Sequence, residues 1–149
     1  HACVLDTGGS VWCWGFNGNA ELGDGTTVSR NAAAQVAGLS GVRALAAGPS
    51  HTCALLAEGV QCWGLAYMGN GGALQSLQQP LPAGVVTALA GAANPVIGLA
   101  PGAGGLCVLR ASGDVQCWGP NGAGQLGTGD LLDRLVPTST AAGAVFWHP

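Results

Sequence analysis

The chain has 149 residues and a mass of 14.6 kDa, the size of one ordinary domain or of part of a larger repetitive one. Charged residues make up only 7%, with four Arg, no Lys and a formal net charge of −3. This composition argues against a nucleic-acid partner, which requires clustered basic side chains. Hydrophobic residues make up 48%, which excludes a disordered chain, and 27 Gly are too many for a helical bundle.

Three segments of the chain repeat one pattern: residues 1–15, 51–64 and 105–119. Their first cysteines are Cys3, Cys53 and Cys107, which are 50 and then 54 residues apart. Periods of this length are typical of propellers and solenoids. We therefore divide the chain into approximate repeats at 1–50, 51–104 and 105–149.

Each segment is predicted to form a β-hairpin, because short runs of Val, Leu and Cys flank a glycine-containing loop. The first and third loops have three residues, and their third residues, Gly9 and Gly113, suit a left-handed conformation. In the third hairpin this register places Arg110 opposite Asp114, so we expect a cross-strand ion pair between them. The second hairpin has a two-residue loop, 57–58, which preserves the same pairing.

The hairpin register brings two cysteines together at a non-hydrogen-bonded position in every repeat, where the Cα atoms approach to about 4.5 Å. The predicted disulfides are Cys3–Cys13, Cys53–Cys62 and Cys107–Cys117. They imply an oxidising compartment, so we expect an extracellular or cell-surface protein. The alternative is a set of buried free thiols in a reducing compartment. A zinc site is not expected, because neither the cysteine spacing nor the histidines form a ligand set.

Both faces of each hairpin are apolar. In the first hairpin Cys3 and Val11 lie on one face, whereas Val4, Trp12 and Trp14 lie on the other. A sheet that is apolar on both faces must be covered on both faces, and radially stacked blades satisfy this requirement.

The segment 51–64 resembles the regulator-of-chromosome-condensation repeat in its cysteine-bearing, mostly bacterial and algal form, as do residues 39–48 and the glycine-rich loops 17–26 and 121–129. The resemblance covers nearly the whole chain, although the loop 65–74 departs from it. It implies an all-β fold, a β-propeller with blades of four antiparallel strands, about three of which lie here as part of a seven-bladed ring.

Three blades cannot close such a ring. We therefore expect the remaining blades to come from the same longer protein or from another chain. Open blade faces are apolar, so this segment alone is expected to be poorly soluble.

Motifs for chemistry are sparse. Residues 122–127 match Gly-x-Gly-x-x-Gly, but the strand and helix of a dinucleotide site are missing around them, so we interpret them as a glycine-rich turn. The loop acids Asp24, Asp130 and Asp133 are too few for an expected calcium site. A long uncharged stretch, 59–109, contains Pro95 and Pro101 and is unsuited to a membrane-spanning helix. We expect no cofactor, no metal and no membrane span.

The tryptophans leave two interpretations open. The first is packing between blades, and the second is an aromatic interaction surface formed by Trp14, Trp63, Trp118 and Tyr67. The leading functional hypothesis is a non-enzymatic module that binds protein partners in a larger extracellular assembly. The alternatives are a secreted inhibitor of a hydrolase, since a secreted β-lactamase inhibitor is built on a similar propeller, and a guanine-nucleotide exchange factor for a small GTPase, which the resemblance suggests.

Overall fold

The computed structural model describes residues 1–57, 59–66, 69, 75–77, 85–86, 89 and 93–141. Its strands are β1 (Ala2–Leu5), β2 (Val11–Gly15), β3 (Arg30–Gln35), β4 (Ala44–Ala47), β5 (His51–Leu56), β6 (Gly59–Ala66), β7 (Gln75–Leu77), β8 (Val85–Val86), β9 (Val96–Pro101), β10 (Leu106–Arg110), β11 (Val115–Gly119) and β12 (Arg134–Ser139). In this described part of the chain, no helix has the length and apolar character needed to cross a membrane.

The strands form three antiparallel sheets, which we call blades 1, 2 and 3. Blade 1 contains β1-β2-β3, blade 2 contains β4-β5-β6-β7 with β8 also paired to β6, and blade 3 contains β9-β10-β11-β12. Strand β4 of blade 2 contacts both β1 of blade 1 and β9 of blade 3, so blade 2 lies between the other two. The fold is therefore all-β and is a partial propeller. Because β4 and β9 precede the cysteine hairpins, the blades are offset from the approximate sequence repeats.

The central hairpins have the register that the sequence predicts. Cys3 pairs with Cys13, Cys53 with Cys62 and Cys107 with Cys117. Gly9 has a φ of 80° and Gly113 a φ of 87°, as a three-residue loop closed by a left-handed residue requires.

Burial along the strands shows that blade 2 is covered on both faces. All six residues of β5 are buried, whereas the residues of β1 alternate between exposed and half-buried. Ala54 and Leu56 pack against blade 1, and Cys53 and Leu55 pack against blade 3. The period of two along a strand thus supplies the two apolar clusters between the blades.

The predicted ion pair between Arg110 and Asp114 is wrong. Arg110 is buried, and its guanidinium donates to the carbonyl oxygens of Leu89, at 3.1 Å, and Asn94, at 2.8 Å. Asp114 instead accepts a hydrogen bond from the Ser139 hydroxyl at 3.2 Å. The register opposes the two backbones correctly, but the connection before β9 supplies better acceptors for the buried guanidinium.

Candidate functional site: the interfaces between blades

The disulfides of blades 1 and 2 lie on the face that each of these two blades turns towards the next one. The three bonds join Cys3 to Cys13, Cys53 to Cys62 and Cys107 to Cys117, with Cα–Cα distances of 4.2, 4.1 and 4.1 Å. These are the pairs that the hairpin register predicts. The cluster between blades 1 and 2 contains Cys13 and Trp63, and the cluster between blades 2 and 3 contains Cys62 and Trp118. The disulfides of blades 1 and 2 therefore each pack in one cluster with the tryptophan of the following blade.

A buried asparagine organises the glycine-rich loop that follows β2. The Asn17 amide donates to the carbonyl oxygens of Thr26, at 2.9 Å, and Val28, at 3.2 Å, and its own oxygen accepts the Leu22 N–H at 2.9 Å. Asn121 occupies the equivalent place in blade 3 and accepts the Leu126 N–H at the same distance. One fully buried side chain thus satisfies several backbone groups that a loop would otherwise leave unpaired.

This loop of blade 1 is an acceptor for the tryptophan of blade 2. The Glu21 carbonyl oxygen accepts the Trp63 indole N–H at 2.8 Å and the Thr52 hydroxyl at 3.0 Å. A Cβ on Gly23, whose φ is +65°, would lie 2.7 Å from Trp63 Nε1, so only glycine lets the indole approach this closely. We call residues 17–26 of blade 1, and the equivalent residues 121–129 of blade 3, the acceptor loop of the blade.

The hydroxyl of Thr52 also joins a histidine to the interface. Its proton is donated to Glu21, so it accepts from His1 Nε2, which lies 3.0 Å away. The His1 side chain is thereby connected, through Thr52 of blade 2, to Glu21 in the acceptor loop of blade 1.

The interface between blades 2 and 3 repeats the indole contact but not the polar chain. A Cβ on Gly69 would lie 2.8 Å from Trp118 Nε1, so a glycine again lies against the indole. The residue at the place of Thr52 is Leu106, which has no hydroxyl. His51 is fully buried, and neither ring nitrogen has a hydrogen-bond partner among the described residues. Burial therefore lowers the pKa of His51, and a contact with the Gly105 backbone offsets only part of this effect.

Two of the four residues of the predicted aromatic interaction surface are buried between blades. Trp63 and Trp118 are both 0% exposed. The loop of blade 1 accepts the Trp63 N–H, and Gly69 of blade 2 lies against the Trp118 indole, so both tryptophans pack between blades. Trp14 lies on the open face of blade 1 and is partly exposed. Tyr67 and the last tryptophan, Trp147, lie outside the described residues.

Two of the three loop acids form ion pairs with arginines. Asp24 pairs with Arg30, and Asp130 pairs with Arg134 at 2.7 Å. The Arg134 guanidinium holds the pKa of Asp130 below its usual value. Asp133 accepts the Asn121 N–H at 2.8 Å. Within the described ranges, no group of three or more potential metal ligands is present.

The Gly-x-Gly-x-x-Gly segment, 122–127, forms turns and belongs to the acceptor loop of blade 3. Gly124 and Gly127 have positive φ values of 75° and 64°. Over the described residues 121–133 the chain runs through turns and bends and not into a helix, so the geometry of a dinucleotide site is absent there.

Three antiparallel sheets stacked through tryptophans and glycine loops define consecutive blades of a β-propeller. Two family models, both described as the regulator of chromosome condensation (RCC1) repeat, match residues 8–55 and 42–70. Residues 8–70 accordingly contain RCC1-type repeats.

Curated relatives extend the similarity beyond the family models. The ultraviolet-B receptor UVR8 of Arabidopsis thaliana is 31% identical over 140 residues, covering 92% of this chain and 31% of that protein. The regulator of chromosome condensation of Homo sapiens is 33% identical over 130 residues, covering 85% of this chain and 30% of that protein. The chain thus spans under a third of the length of these relatives.

Solved structures agree with the fold. Human WBSCR16 superposes with a TM-score of 0.79 at 25% identity, covering 94% of this chain and 37% of that one. Yeast RCC1 (Prp20), in its complex with Kap60, superposes with a TM-score of 0.73 at 22% identity, covering 98% of this chain and 36% of that one. The second likeness concerns the fold alone.

Sequence reasoning found the disulfides but missed the contacts that assemble the blades. Neither Gly23 nor Thr52 was assigned a role, because their partners are 40 and 31 residues away in sequence, at Trp63 and Glu21 respectively. A signal existed, since Gly23 and Gly127 occupy the same place in two repeats and each repeat has a tryptophan after its second cysteine.

Proposed function

We propose that this chain is a non-enzymatic protein-interaction module that works in an oxidising compartment, secreted or at the cell surface. The observation that carries the compartment is the occurrence of one disulfide at the same register in every blade. All six cysteines of the chain take part. Disulfides persist in oxidising environments and are rare where glutathione and thioredoxin keep thiols reduced.

Exposed apolar side chains on the loops between β2 and β3 and between β11 and β12 support the interaction role. Val28 and Leu132 occupy equivalent positions in blades 1 and 3, and each is 67% exposed. Phe16 and Leu131 are also exposed, at 59% and 64%. These two loops therefore offer exposed apolar groups for contact with a protein partner. The low content of charged residues agrees, since the buried centres of interfaces are depleted in charge.

The compartment is tested by alkylating the chain in its native source without reduction and measuring its denatured mass. We expect no alkyl groups on the six cysteines, and six after reduction of the same sample. Six groups without prior reduction would overturn the compartment while leaving the fold intact.

The interaction role is tested by cross-linking in the native source. We expect the double variant Val28→Asp and Leu132→Asp to lose most partner cross-links, while Ser40→Asp, at another exposed position, retains them. Equal cross-linking by both variants would refute the loop surface.

Guanine-nucleotide exchange is the second candidate, and the 33% identity to the human regulator of chromosome condensation favours it. It predicts faster release of labelled GDP from a small GTPase, in reducing as well as in oxidising buffer. Trp63 and Trp118 are buried, so they are not available as the aromatic binding surface that the hydrolase-inhibitor alternative needs. Stoichiometric slowing of a purified hydrolase would restore it.

A further inference from the structure

The edge of β3 is a hydrogen-bonding surface that blade 1 does not use. β3 is the last strand of its sheet and pairs with β2 alone. The Val36 N–H donates to the Val11 carbonyl of β2 at 2.9 Å, and Ala34 also pairs with β2. Because successive residues of a strand direct their N–H and C=O groups to opposite sides, Ala33 and Gln35 direct theirs away from β2. No strand of the described chain lies on that side of β3.

This edge lies away from the surfaces on which the blades stack. Blade 2 packs against blades 1 and 3 through its two faces, in the apolar clusters between them. A further blade would stack on the other face of blade 1 in the same way, which leaves the edge of β3 uncovered. All residues of β3 except Ala34 are exposed. The exposure of this edge therefore follows from the way in which the blades stack.

Blade 3 protects the corresponding edge with a proline, whereas blade 1 does not. Pairing to the second cysteine of each hairpin aligns Ala34 with Thr138, so Pro137 of β12 is in the place of the residue before Ala34. Proline has no N–H, and natural proteins use it to prevent an added strand from pairing with a sheet edge. β3 contains no proline, and its one charged residue is Arg30, at its start. A bulge near the start of the strand is common to β3 and β12, so the proline is the difference between them.

An open groove of about 540 Å³ follows β3. The described residues that line it are Thr26 and residues 28–34, which belong to β3 and to the segment just before it. The groove therefore lies on the side of β3 that faces away from β2. It gives an extended chain room beside the outward N–H and C=O groups.

Arg30 supplies a positive charge at one end of this groove. Its Nε donates to Asp24, but the two terminal guanidinium nitrogens have no partner among the described residues. The Arg30 side chain is 44% exposed and that of Asp24 only 9%, so the guanidinium is the charged group that a ligand would meet. Arg134, at the equivalent place in blade 3, instead donates through both terminal nitrogens, to the Leu132 carbonyl and to Asp130. A carboxylate of a ligand can therefore pair with Arg30.

We propose that the edge of β3 binds an extended segment of a partner protein, which adds to blade 1 as an antiparallel strand and carries an acidic side chain near its C-terminal end. Antiparallel pairing runs that end of the segment towards Arg30, whose guanidinium complements the carboxylate. Backbone hydrogen bonds at Ala33 and Gln35 supply affinity, as they do wherever a peptide adds to a sheet edge. Val28 belongs both to the groove and to the exposed loop surface. This proposal therefore rests on the proposed interaction role and states the chemistry of its partner.

The probe is a synthetic peptide selected from a phage-displayed random-peptide library for binding to the full chain without reducing agent. Ala33→Pro removes the outward N–H, as Pro137 does in blade 3, and Ala33→Ser, which retains it, is the matched control. We expect Ala33→Pro to bind the peptide about tenfold more weakly or worse, because a hydrogen bond is lost and a peptide carbonyl is left unpaired. Ala33→Ser should bind it as the wild type does. Circular dichroism of both variants shows that the fold is retained.

Three further measurements keep the test valid even if Ala33→Pro does not fold. N-methylation of single peptide amides should abolish binding at alternate positions only, since only every second amide of an added strand faces β3. The amide hydrogens of Ala33 and Gln35 should exchange rapidly in the free chain and slowly in the complex. Replacing the acidic residue of the peptide by its amide should weaken binding to the wild type roughly threefold and leave binding to Arg30→Gln unchanged.

The proposal is overturned if no peptide is selected, if the selected peptides lack the acidic residue, if Ala33→Pro folds and binds as the wild type does, or if N-methylation shows no alternation. Growth in mass of the peptide-free chain with concentration, abolished by Ala33→Pro, would assign the edge to a second copy and also overturn it. If strand addition fails while the double variant Val28→Asp and Leu132→Asp still loses its cross-links, the interaction role stands alone. If that variant keeps its cross-links as well, the interaction role fails too.

Discussion

The contact between Gly23 and Trp63 predicts a specific penalty for adding one methyl group. In Gly23→Ala the new Cβ would lie 2.7 Å from Nε1 and 2.8 Å from Cδ1 of the indole. Two costs therefore add. An alanine at a φ near +65° costs about 1–2 kcal/mol, and overpacking against a buried ring costs about 1–3 kcal/mol.

Two other glycines isolate the packing cost. Gly41 has a φ of +67°, and nothing lies within 4 Å of its Cβ position. Gly127 has a φ of +64° and only the 3.8 Å contact with Thr140. Alanine at either position incurs the backbone cost alone. Gly23→Ala should therefore be less stable than Gly41→Ala by about 2 kcal/mol.

Urea denaturation and thermal unfolding of the three variants measure this difference. For a chain of this size about 2 kcal/mol corresponds to a melting temperature roughly 4–8 °C lower. Trp63→Ala combined with Gly23→Ala should lose less than the sum of the two single losses, because the clash disappears with the indole. Equal destabilisation by Gly23→Ala and Gly41→Ala would refute the reasoning, since it would mean that the indole does not press on the loop.

Three further predictions concern other groups of the interfaces and loops. Replacing Cys53 and Cys62 together by Ser should lower the free energy of unfolding by about 3 kcal/mol in denaturant titrations. The variant and the wild type should be equally stable when both are reduced. Because burial lowers the pKa of His51 below its ordinary 6.5, the unfolded chain binds more protons in that range. The contribution of His51 to the free energy of unfolding should therefore be complete above pH 6.5 and be lost as the pH falls through the folded-state pKa. Thermal melts of His51→Phe should lack this loss of stability at low pH. The same pH dependence in His51→Phe and the wild type would contradict the prediction. Asn17→Ala and Asn121→Ala should each lower the free energy of unfolding by about 2–3 kcal/mol in the same titrations, because each leaves buried backbone groups without partners. A loss below about 1 kcal/mol would contradict this role of the two asparagines.

Local pairing was predictable from the sequence because the parity of a hairpin depends only on the length of its loop. Loops of three and two residues leave the cysteines opposite each other in all three blades, as the structure has them. The same local argument placed Arg110 opposite Asp114 but could not see Leu89 and Asn94, whose carbonyl oxygens take the guanidinium.

Contacts between blades were less predictable, because they depend on how a loop of one sheet meets a strand of the next. Trp14, Trp63 and Trp118 have the same local sequence, yet only the last two are buried. Their environment is decided by whether another blade's glycine loop reaches them. Local sequence does not encode that neighbour, so it left both interpretations of the tryptophans open.

The position of the disulfides has a mechanical consequence. Each bond closes a loop of nine or ten residues inside a single hairpin, and none of them ties one blade to another. A chain pulled at its ends can therefore separate its blades freely, but about 35 Å of contour length in each blade stays locked until the bond is reduced. Under tension the three disulfide-closed hairpins do not extend, whereas the rest of the chain does. Reduction of the disulfides therefore increases the length to which the chain can be pulled.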